Sequence, residues 1–223
     1  MNKTVLVVAA HTDDEALGCG GTIARHVAEG DSVFAIFMAD GVTSRVQAGK
    51  SDLAARHSAA ENARKILGVQ EHFYLGLPDN RLDSLPLIEV IQHLEPVIRQ
   101  LKPSIIYTHH HGDLNIDHRI THQAVLTASR PMPGSSVQAI YTFEVMSSTE
   151  WATPTAEPFV PNHYIDISNH LVAKLDALRA YELEMRDAPH SRSIEHLAYL
   201  AHHRGHTVGL MAAEAFVTVR TIR

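Results

Sequence analysis

The chain has 223 residues, a length at which one domain can bury a hydrophobic core without disulfides to staple it. Its 19 Lys and Arg against 25 Asp and Glu give a net charge of −6, which argues against a general nucleic-acid binder, because phosphate recognition needs concentrated positive charge. The single cysteine excludes an internal disulfide and a cysteine-rich zinc module. Any metal site must therefore use His and carboxylate side chains, and the chain has 17 histidines.

Apolar, β-branched runs alternate with longer stretches of helical period through the first 130 or so residues. The predicted strands cover residues 5–9, 32–39, 72–75 and 104–108. The predicted helices cover residues 15–29, 52–67, 86–101 and 117–129. This alternation implies right-handed crossovers and a mostly parallel sheet with helices on both faces. We therefore predict an α/β three-layer domain.

The rest of the chain is less regular. Five prolines between positions 131 and 161 interrupt it, apart from a predicted strand over residues 139–145. Ser168 is a plausible N-cap for a long helix that we predict to reach about Arg186. Because no repeat or linker divides the sequence, we expect one domain over residues 1–223. The proline-rich region and the apolar residues 208–219 also make a homo-oligomer an expectation.

The longest apolar runs are too short for a membrane. Residues 5–10 and 33–39 each fall well below the roughly 20 residues that a spanning helix needs, and the first is too short for a signal peptide. We therefore expect a cytoplasmic protein with no membrane span.

The first predicted strand runs directly into His11-Thr12-Asp13-Asp14-Glu15. In open α/β sheets ligands bind beyond the carboxyl ends of strands, so a functional site is expected here. Three acids in succession repel one another unless a cation offsets them. The simpler alternative is a helix N-terminus, where acids are favoured, and Glu15 alone fits that reading well.

A second polar cluster follows the strand predicted at residues 104–108. It contains His109, His110, His111, Asp113 and, further on, Asn115, Asp117, His118 and His122. Because the two strands should be neighbours in the sheet, both clusters should meet at one edge. A His/Asp/His site with an open position is typical of catalytic zinc, and non-haem iron(II) uses a similar triad. A polar loop and an ordinary helix start are the alternative for most of these histidines.

Residues 10–15, AHTDDE, with Asn115 and the Asp117-His118 pair about a hundred residues later, resemble the LmbE-like (PIG-L) family of zinc-dependent N-deacetylases. Residues 204–216 are similar to the closing segment of that family. The resemblance implies a Rossmann-like fold, a Zn²⁺ cofactor and a small-molecule substrate with an N-acetylated amino sugar, such as an N-acetylglucosamine conjugate.

Carried over by position, the resemblance makes His11, Asp14 and His118 the zinc ligands, with water in the fourth position. Asp13 matches the general base of the family. These roles agree with chemistry, since Zn²⁺ lowers the pKa of bound water to about 7 and a free carboxylate beside it can take the proton.

The resemblance also indicates substrate contacts through Arg56 and Asp79, while Asp117 is a candidate acceptor that would orient a histidine. The sequence departs from the family at two positions. Thr12 replaces a usual proline, which should alter only the loop. Asn115 stands where many members have a second histidine, so we expect Asn115 or one of the histidines 109–111 to stabilise the oxyanion.

The sequence thus predicts a metal-dependent amide hydrolase that acts on an acetamido sugar. Two alternatives stay open: a metal-dependent hydrolase of another bond, such as a phosphoester, and a non-catalytic sugar- or metal-binding protein. A second metal would favour the phosphoesterase. Asp13 argues against a pure binding protein, which has no need for an unligated carboxylate beside the metal.

Overall fold

The computed structural model describes residues 2–44, 50–153 and 157–222. Its sheet comprises β1 (Thr4–Ala9), β2 (Ser32–Ala39), β3 (Glu71–Leu77), β4 (Ile105–His109), β5 (Ala139–Phe143), β6 (His163–Asp166) and β7 (Ala213–Thr221). In space the strands lie in the order β3-β2-β1-β4-β5-β7-β6. β1 to β5 are parallel, and β7 pairs antiparallel with both β5 and β6. The prediction of a mostly parallel sheet is confirmed.

Helices cover both faces of this sheet. They are α1 (Asp14–Ala28), α2 (Lys50–Leu67), α3 (Leu87–Leu101), α4 (Ile116–Ala128), α5 (Leu171–Ala180) and α6 (Ile194–His206). Helices α1, α2, α5 and α6 share one core, and α3 and α4 share the other. This arrangement is the predicted α/β three-layer fold. In the described part of the chain, none of the helices combines the length and apolar character that a membrane span requires.

The central strand β1 shows why the sheet separates two cores. Alternate side chains of a strand point to opposite faces, so Val5 and Val7 lie in the core that α1, α2 and α5 also line. Leu6 and Val8 lie in the other core, which α3 and α4 line. All four side chains are fully buried, as expected for a continuous apolar run in a parallel sheet covered on both faces.

The four helices predicted before residue 130 are present and differ from the predictions only at their ends. The helix predicted from Ser168 to Arg186 is wrong at both ends, because α5 spans only Leu171–Ala180. The chain turns at Tyr181, whose carbonyl accepts hydrogen bonds from the N–H groups of Glu184 and Met185. Ser168 does not cap the helix, since its hydroxyl donates to Asp166. Strands β6 and β7 were not predicted.

The pairing of β1 with β4 determines where the two polar clusters lie. Val5, Leu6 and Val7 are opposite residues 105–107, so the carboxyl ends of these parallel strands meet at one edge of the sheet. His11 follows β1 at that edge, and the segment that connects β4 to α4 begins there. The fold therefore brings together residues that are about a hundred positions apart.

Candidate active site

Three side chains from the two polar clusters meet at this edge. His11 Nδ1 lies 3.3 Å from Asp14 Oδ2, and His118 Nε2 lies 3.3 Å from the same oxygen. One potential ligand atom from each residue lies within 4.8 Å of the other two. All three residues are buried, with His11 the most exposed at 7%.

These separations suit a small ion with tetrahedral coordination. Metal–ligand distances of about 2.0–2.2 Å, as found for zinc, place two tetrahedral ligand atoms roughly 3.3–3.5 Å apart. Asp14 Oδ1 is buried and has no hydrogen-bond partner among the described residues. An uncompensated buried carboxylate oxygen is costly, and a bound cation would remove that cost. The group of His11, Asp14 and His118 could therefore hold a metal ion.

The other ring nitrogen of His11 faces two further carboxylates. His11 Nε2 lies 3.1 Å from Asp117 Oδ2 and 3.2 Å from Asp79 Oδ1, and these residues also form a group that could hold a metal. Asp117 is held by the backbone N–H groups of Asn80 at 2.7 Å and Leu82 at 3.0 Å. Because a neutral imidazole has one acceptor nitrogen, His11 can ligate an ion on one side only.

Asp113 supports His118 from behind. His118 Nδ1 lies 3.2 Å from Asp113 Oδ1, and the hydroxyls of Ser148 and Thr149 donate to the same carboxylate. Burial opposes ionisation, but His118 and these hydroxyls outweigh it and hold the pKa of Asp113 at about 2. His109 stacks on His118 with ring centroids 3.9 Å apart. Sequence reasoning gave Asp113 no role, and nothing distinguishes Ser148 or Thr149 from other loop hydroxyls.

Asp13 lies beside this group and contacts two arginines. Arg192 Nη1 donates to Asp13 Oδ2 at 2.8 Å, and Arg56 Nη2 lies 3.8 Å from Oδ1. Burial raises the pKa of Asp13 to about 6, although the two arginines oppose the shift. A carboxylate with a pKa near neutrality can both accept and return a proton.

Arg56 is buried, and each nitrogen of its guanidinium donates a hydrogen bond within the protein. Its Nε donates to Thr12 Oγ1 at 2.9 Å, its Nη2 to the Thr12 carbonyl at 3.0 Å, and its Nη1 to Glu184 Oε1 at 2.9 Å. The prediction that a threonine at position 12 alters only the loop is therefore wrong. A proline there would lack the hydroxyl that accepts from Arg56 Nε.

Asp79 and Asn115 both reach the site through hydrogen-bonded loops. Asp79 accepts from the Ser44 hydroxyl, and this bond together with His11 holds its pKa at about 2 against the effect of burial. Asn115 Oδ1 accepts from the Asp117 N–H at 2.8 Å and so caps α4. Its Nδ2 donates to Asn80 Oδ1 at 3.1 Å.

A cavity of about 160 Å³ opens beside the candidate metal group. Its lining is almost entirely polar and consists of His11, Asp13, Gly41, Ser44, Arg56, Asp79, Asn80, Asn115, Glu184 and Arg192. A small polar cavity with many donors and acceptors suits a hydroxyl-rich molecule better than an apolar one.

Glu184 and Arg192 were not anticipated from the sequence. Both belong to the residues between α5 and α6, of which 181–186 were predicted to be helical. The sequence offers only an indirect signal for Arg192, because the acids that follow β1 need positively charged partners. Arg192 lies far from these acids along the chain, so the sequence does not indicate which arginine is the partner.

The fold and the site define an α/β protein with a buried His–Asp–His group at the carboxyl edge of its parallel strands, beside a polar cavity. Residues 6–129 match the PIG-L family, described as GlcNAc-PI de-N-acetylase. Since the match covers more than half of the chain, the protein belongs to this family, and it is an enzyme of the amide-hydrolase class. The matched residues run from β1 to the end of α4.

Relatives extend the similarity over more of the chain. The protein is 35% identical to the uncharacterized deacetylase YaiS of Escherichia coli over 59% of this chain and 70% of the relative. It is 28% identical to a probable N-acetyl-α-D-glucosaminyl L-malate deacetylase 2 of Bacillus cereus over 86% and 90% of the two chains.

One solved structure with the same fold is the N,N′-diacetylchitobiose deacetylase of Pyrococcus horikoshii in complex with an inhibitor. The two structures superpose with a TM-score of 0.78 over 98% of this chain and 84% of the other, at 23% sequence identity. At this identity the likeness shows the shared fold alone.

Proposed function

We propose that the protein removes the acetyl group from an N-acetylated amino sugar or its conjugate, with zinc held by His11, Asp14 and His118. The observation that carries this proposal is the buried His–Asp–His group, with its 3.3 Å separations and its unpartnered Asp14 oxygen, beside a polar cavity. The names of the relatives, which refer to acetylated sugars, support the choice of substrate.

When bound, zinc would lower the pKa of a water molecule and polarise the acetyl carbonyl. Asp13 takes the proton from the attacking water and then delivers it to the departing amine, which leaves poorly unless it is protonated. Its position in the cavity lining and its pKa of about 6 support both steps.

The carboxylates around the two histidines set their orientation. Asp117 and Asp79 accept from His11 Nε2, which leaves Nδ1 to face Asp14. Asp113 does the same for His118 through Nδ1. Such partners fix the tautomer and the ring plane of a metal-binding histidine and raise its basicity.

The remaining cavity residues would bind the substrate. Asn115 Nδ2 has a second hydrogen beyond its bond to Asn80 and would donate to the carbonyl oxygen as negative charge builds there. Arg56 and Asp79 also line the cavity and would contact sugar hydroxyls.

One geometric feature favours an amide over a phosphoester substrate. The two groups that could hold a metal at this edge share His11, and a neutral imidazole has one lone pair for a ligand bond. Two ions, as in many phosphoesterases, would compete for that lone pair, because one group lies at His11 Nδ1 and the other at Nε2.

The decisive experiment is acetate release from N-acetylglucosamine, N,N′-diacetylchitobiose and N-acetyl-α-glucosaminyl malate, with and without a chelator. We expect turnover of at least one sugar that is lost with chelator and restored by zinc. Full activity in chelator would contradict the metal assignment. Stoichiometric zinc with no turnover of any acetylated sugar would favour a non-catalytic binding protein.

A further inference from the structure

The residues between α5 and α6, 181–193, reach the candidate active site at three points, and we call them the α5–α6 segment. The Tyr181 hydroxyl donates to Glu15, Glu184 accepts from Arg56, and Arg192 donates to Asp13. Two of these contacts converge on Asp13, one directly and one through Glu15. The segment lies outside the residues that match the family.

The backbone at Asp13 is held by an unusual set of bonds. Its φ is 108°, in a region that favours glycine and is strained for other residues. The Asp13 N–H donates to Glu15 Oε2 at 3.0 Å, while Glu15 Oε1 accepts from the Tyr181 hydroxyl at 2.6 Å. Glu15 and Tyr181 are each 1% exposed. One oxygen of the Glu15 carboxylate therefore holds the Asp13 backbone, and the other is held by the Tyr181 hydroxyl. Tyr181 thus keeps in place the carboxylate that binds the Asp13 N–H.

The side chain of Asp13 is held from the other end of the segment. Arg192 Nη1 donates to Asp13 Oδ2 at 2.8 Å, and Arg192 Nε donates to Ser147 Oγ at 2.6 Å and to the Met146 carbonyl at 3.2 Å. Asp13 Oδ1 lies 3.8 Å from Arg56, beyond hydrogen-bond distance. Arg192 therefore anchors one carboxylate oxygen and leaves the other for a proton.

We propose that Tyr181 and Arg192 are positioning residues for Asp13: Tyr181 acts through Glu15 on its backbone, and Arg192 orients its carboxylate. This inference rests on the proposed role of Asp13 as proton acceptor. A strained backbone persists only where the surroundings over-determine it, and a proton acceptor loses rate when it is slightly misplaced. The α5–α6 segment thus completes the site that the strand ends begin.

The first test compares Tyr181→Phe with the matched control Tyr199→Phe. Tyr199 also donates to a glutamate, Glu195, at 2.7 Å, but this pair is exposed on α6. Loss of the hydrogen bond that holds Glu15 should lower kcat of Tyr181→Phe by about tenfold, with unchanged KM and zinc content. Tyr199→Phe should match the parent enzyme in all three quantities. A kcat of Tyr181→Phe equal to that of the parent overturns the role of Tyr181.

The second test replaces Arg192 with Lys and with Met. A lysine keeps the charge but lacks the fork that bonds Asp13 and Ser147 together, so Arg192→Lys should retain more kcat than Arg192→Met. Both variants should keep the parent zinc content. A change confined to KM would indicate that Arg192 only binds substrate and would overturn its positioning role.

A double-mutant cycle separates this inference from the proposed function. Asparagine tolerates positive φ, so Asp13→Asn should fold and keep zinc while losing most of its activity. In that background Tyr181→Phe should cost nothing further, because the group that it positions is gone. No acetate release by the parent enzyme would refute the proposed function, and normal activity of Asp13→Asn would refute the role of Asp13 as proton acceptor. An undiminished additional loss from Tyr181→Phe would refute the inference alone.

Hydrogen exchange gives a readout that needs no turnover. The Asp13 N–H is protected by Glu15, so Tyr181→Phe should speed exchange in a peptide that covers residues 11–17, and Tyr199→Phe should not. Unchanged exchange in Tyr181→Phe would show that the Tyr181–Glu15 bond does not hold the Asp13 backbone.

Discussion

Three histidines surround the carboxylate of Asp14. The Oδ2 atom of Asp14 accepts a hydrogen bond from the backbone N–H of His11 at 2.9 Å. It also lies 3.3 to 3.5 Å from ring nitrogens of His11, His118 and His109. Burial opposes its ionisation, but the neighbouring histidines hold its pKa well below the usual range. The other oxygen has no partner among the described residues, and a bound cation would compensate this buried carboxylate.

The proposed ligand set predicts the metal content of a single variant. His118→Ala removes one of three ligands but leaves β4 and the Asn115 cap of α4 intact, so it should fold and bind less than stoichiometric zinc. Elemental analysis after gel filtration measures this. His203→Ala, at an exposed position of α6, is the control and should keep full zinc. Full zinc in His118→Ala would refute the ligand set.

Asn115 caps α4, and this role can be separated from its proposed role as oxyanion donor. Serine caps helices about as well as asparagine but has no amide donor, so Asn115→Ser should keep the parent stability and lose at least about tenfold in kcat. Asn115→Ala should lose the cap as well, at about 1 kcal/mol of unfolding free energy. Urea unfolding and steady-state kinetics measure the two effects. An unchanged kcat in Asn115→Ser would show that Asn115 only caps the helix.

Among the elements, α6 depends on close approach to the chain that enters β7. A Cβ built on Gly205 would lie 2.7 Å from the Ala212 Cα and 2.8 Å from its backbone nitrogen. Backbone atoms cannot rotate aside as a flexible side chain can. The glycine is therefore required by packing, despite its poor helix propensity.

This packing determines whether a substitution of Gly205 stabilises or destabilises the protein. Gly205→Ala would stabilise an isolated helix, but here we expect a loss of about 1–3 kcal/mol, because overpacking outweighs the gain in propensity. Urea unfolding measures the change, with His203→Ala on the same helix as the control. A more stable Gly205→Ala variant would contradict the close approach.

Elements with a strong local pattern were predictable. The buried runs of β1, β2 and β4 and the helices between them follow from apolar periodicity, and Asp14 and His118 fall at helix starts that sequence rules describe. The end of α5 was not predictable, because its apolar period continues past the turn at Tyr181. Tertiary contacts of Tyr181, Glu184 and Arg192 decide the path there.

The stability of the protein depends on pH through His72 on β3, a half-buried residue whose Nε2 is buried. Burial lowers the pKa of His72 to about 4, and its Nε2 has no partner in the described part of the chain. The unfolded chain has a pKa near 6.5 at this residue, so between about pH 6.5 and 4 it binds a proton that the folded state does not. Stability therefore falls as pH falls through this window, by at most about 1.4 kcal/mol per pH unit from this group.

The substitution His72→Phe isolates this contribution. A phenylalanine can keep the edge contact that His72 makes with Phe37, whose ring centroid lies 4.9 Å away, and it removes the titration. We expect its stability to fall less steeply than that of the parent between about pH 7 and 5 in urea unfolding. Parallel curves for the two proteins would contradict the lowered pKa.

The α/β alternation and the acids after the first strand follow from the sequence alone, because these depend on neighbours in the chain, and the resemblance to the PIG-L family makes His11, Asp14 and His118 the candidate ligands. The predicted pairing of β1 with β4 is confirmed, whereas only the tertiary structure shows that Asp113 supports His118 and that Arg192 reaches Asp13. The tertiary structure also decided that Asn115 caps a helix and that Thr12 accepts from Arg56. Such contacts join residues far apart in sequence, and their energy depends on burial and direction, which leave no local pattern to read.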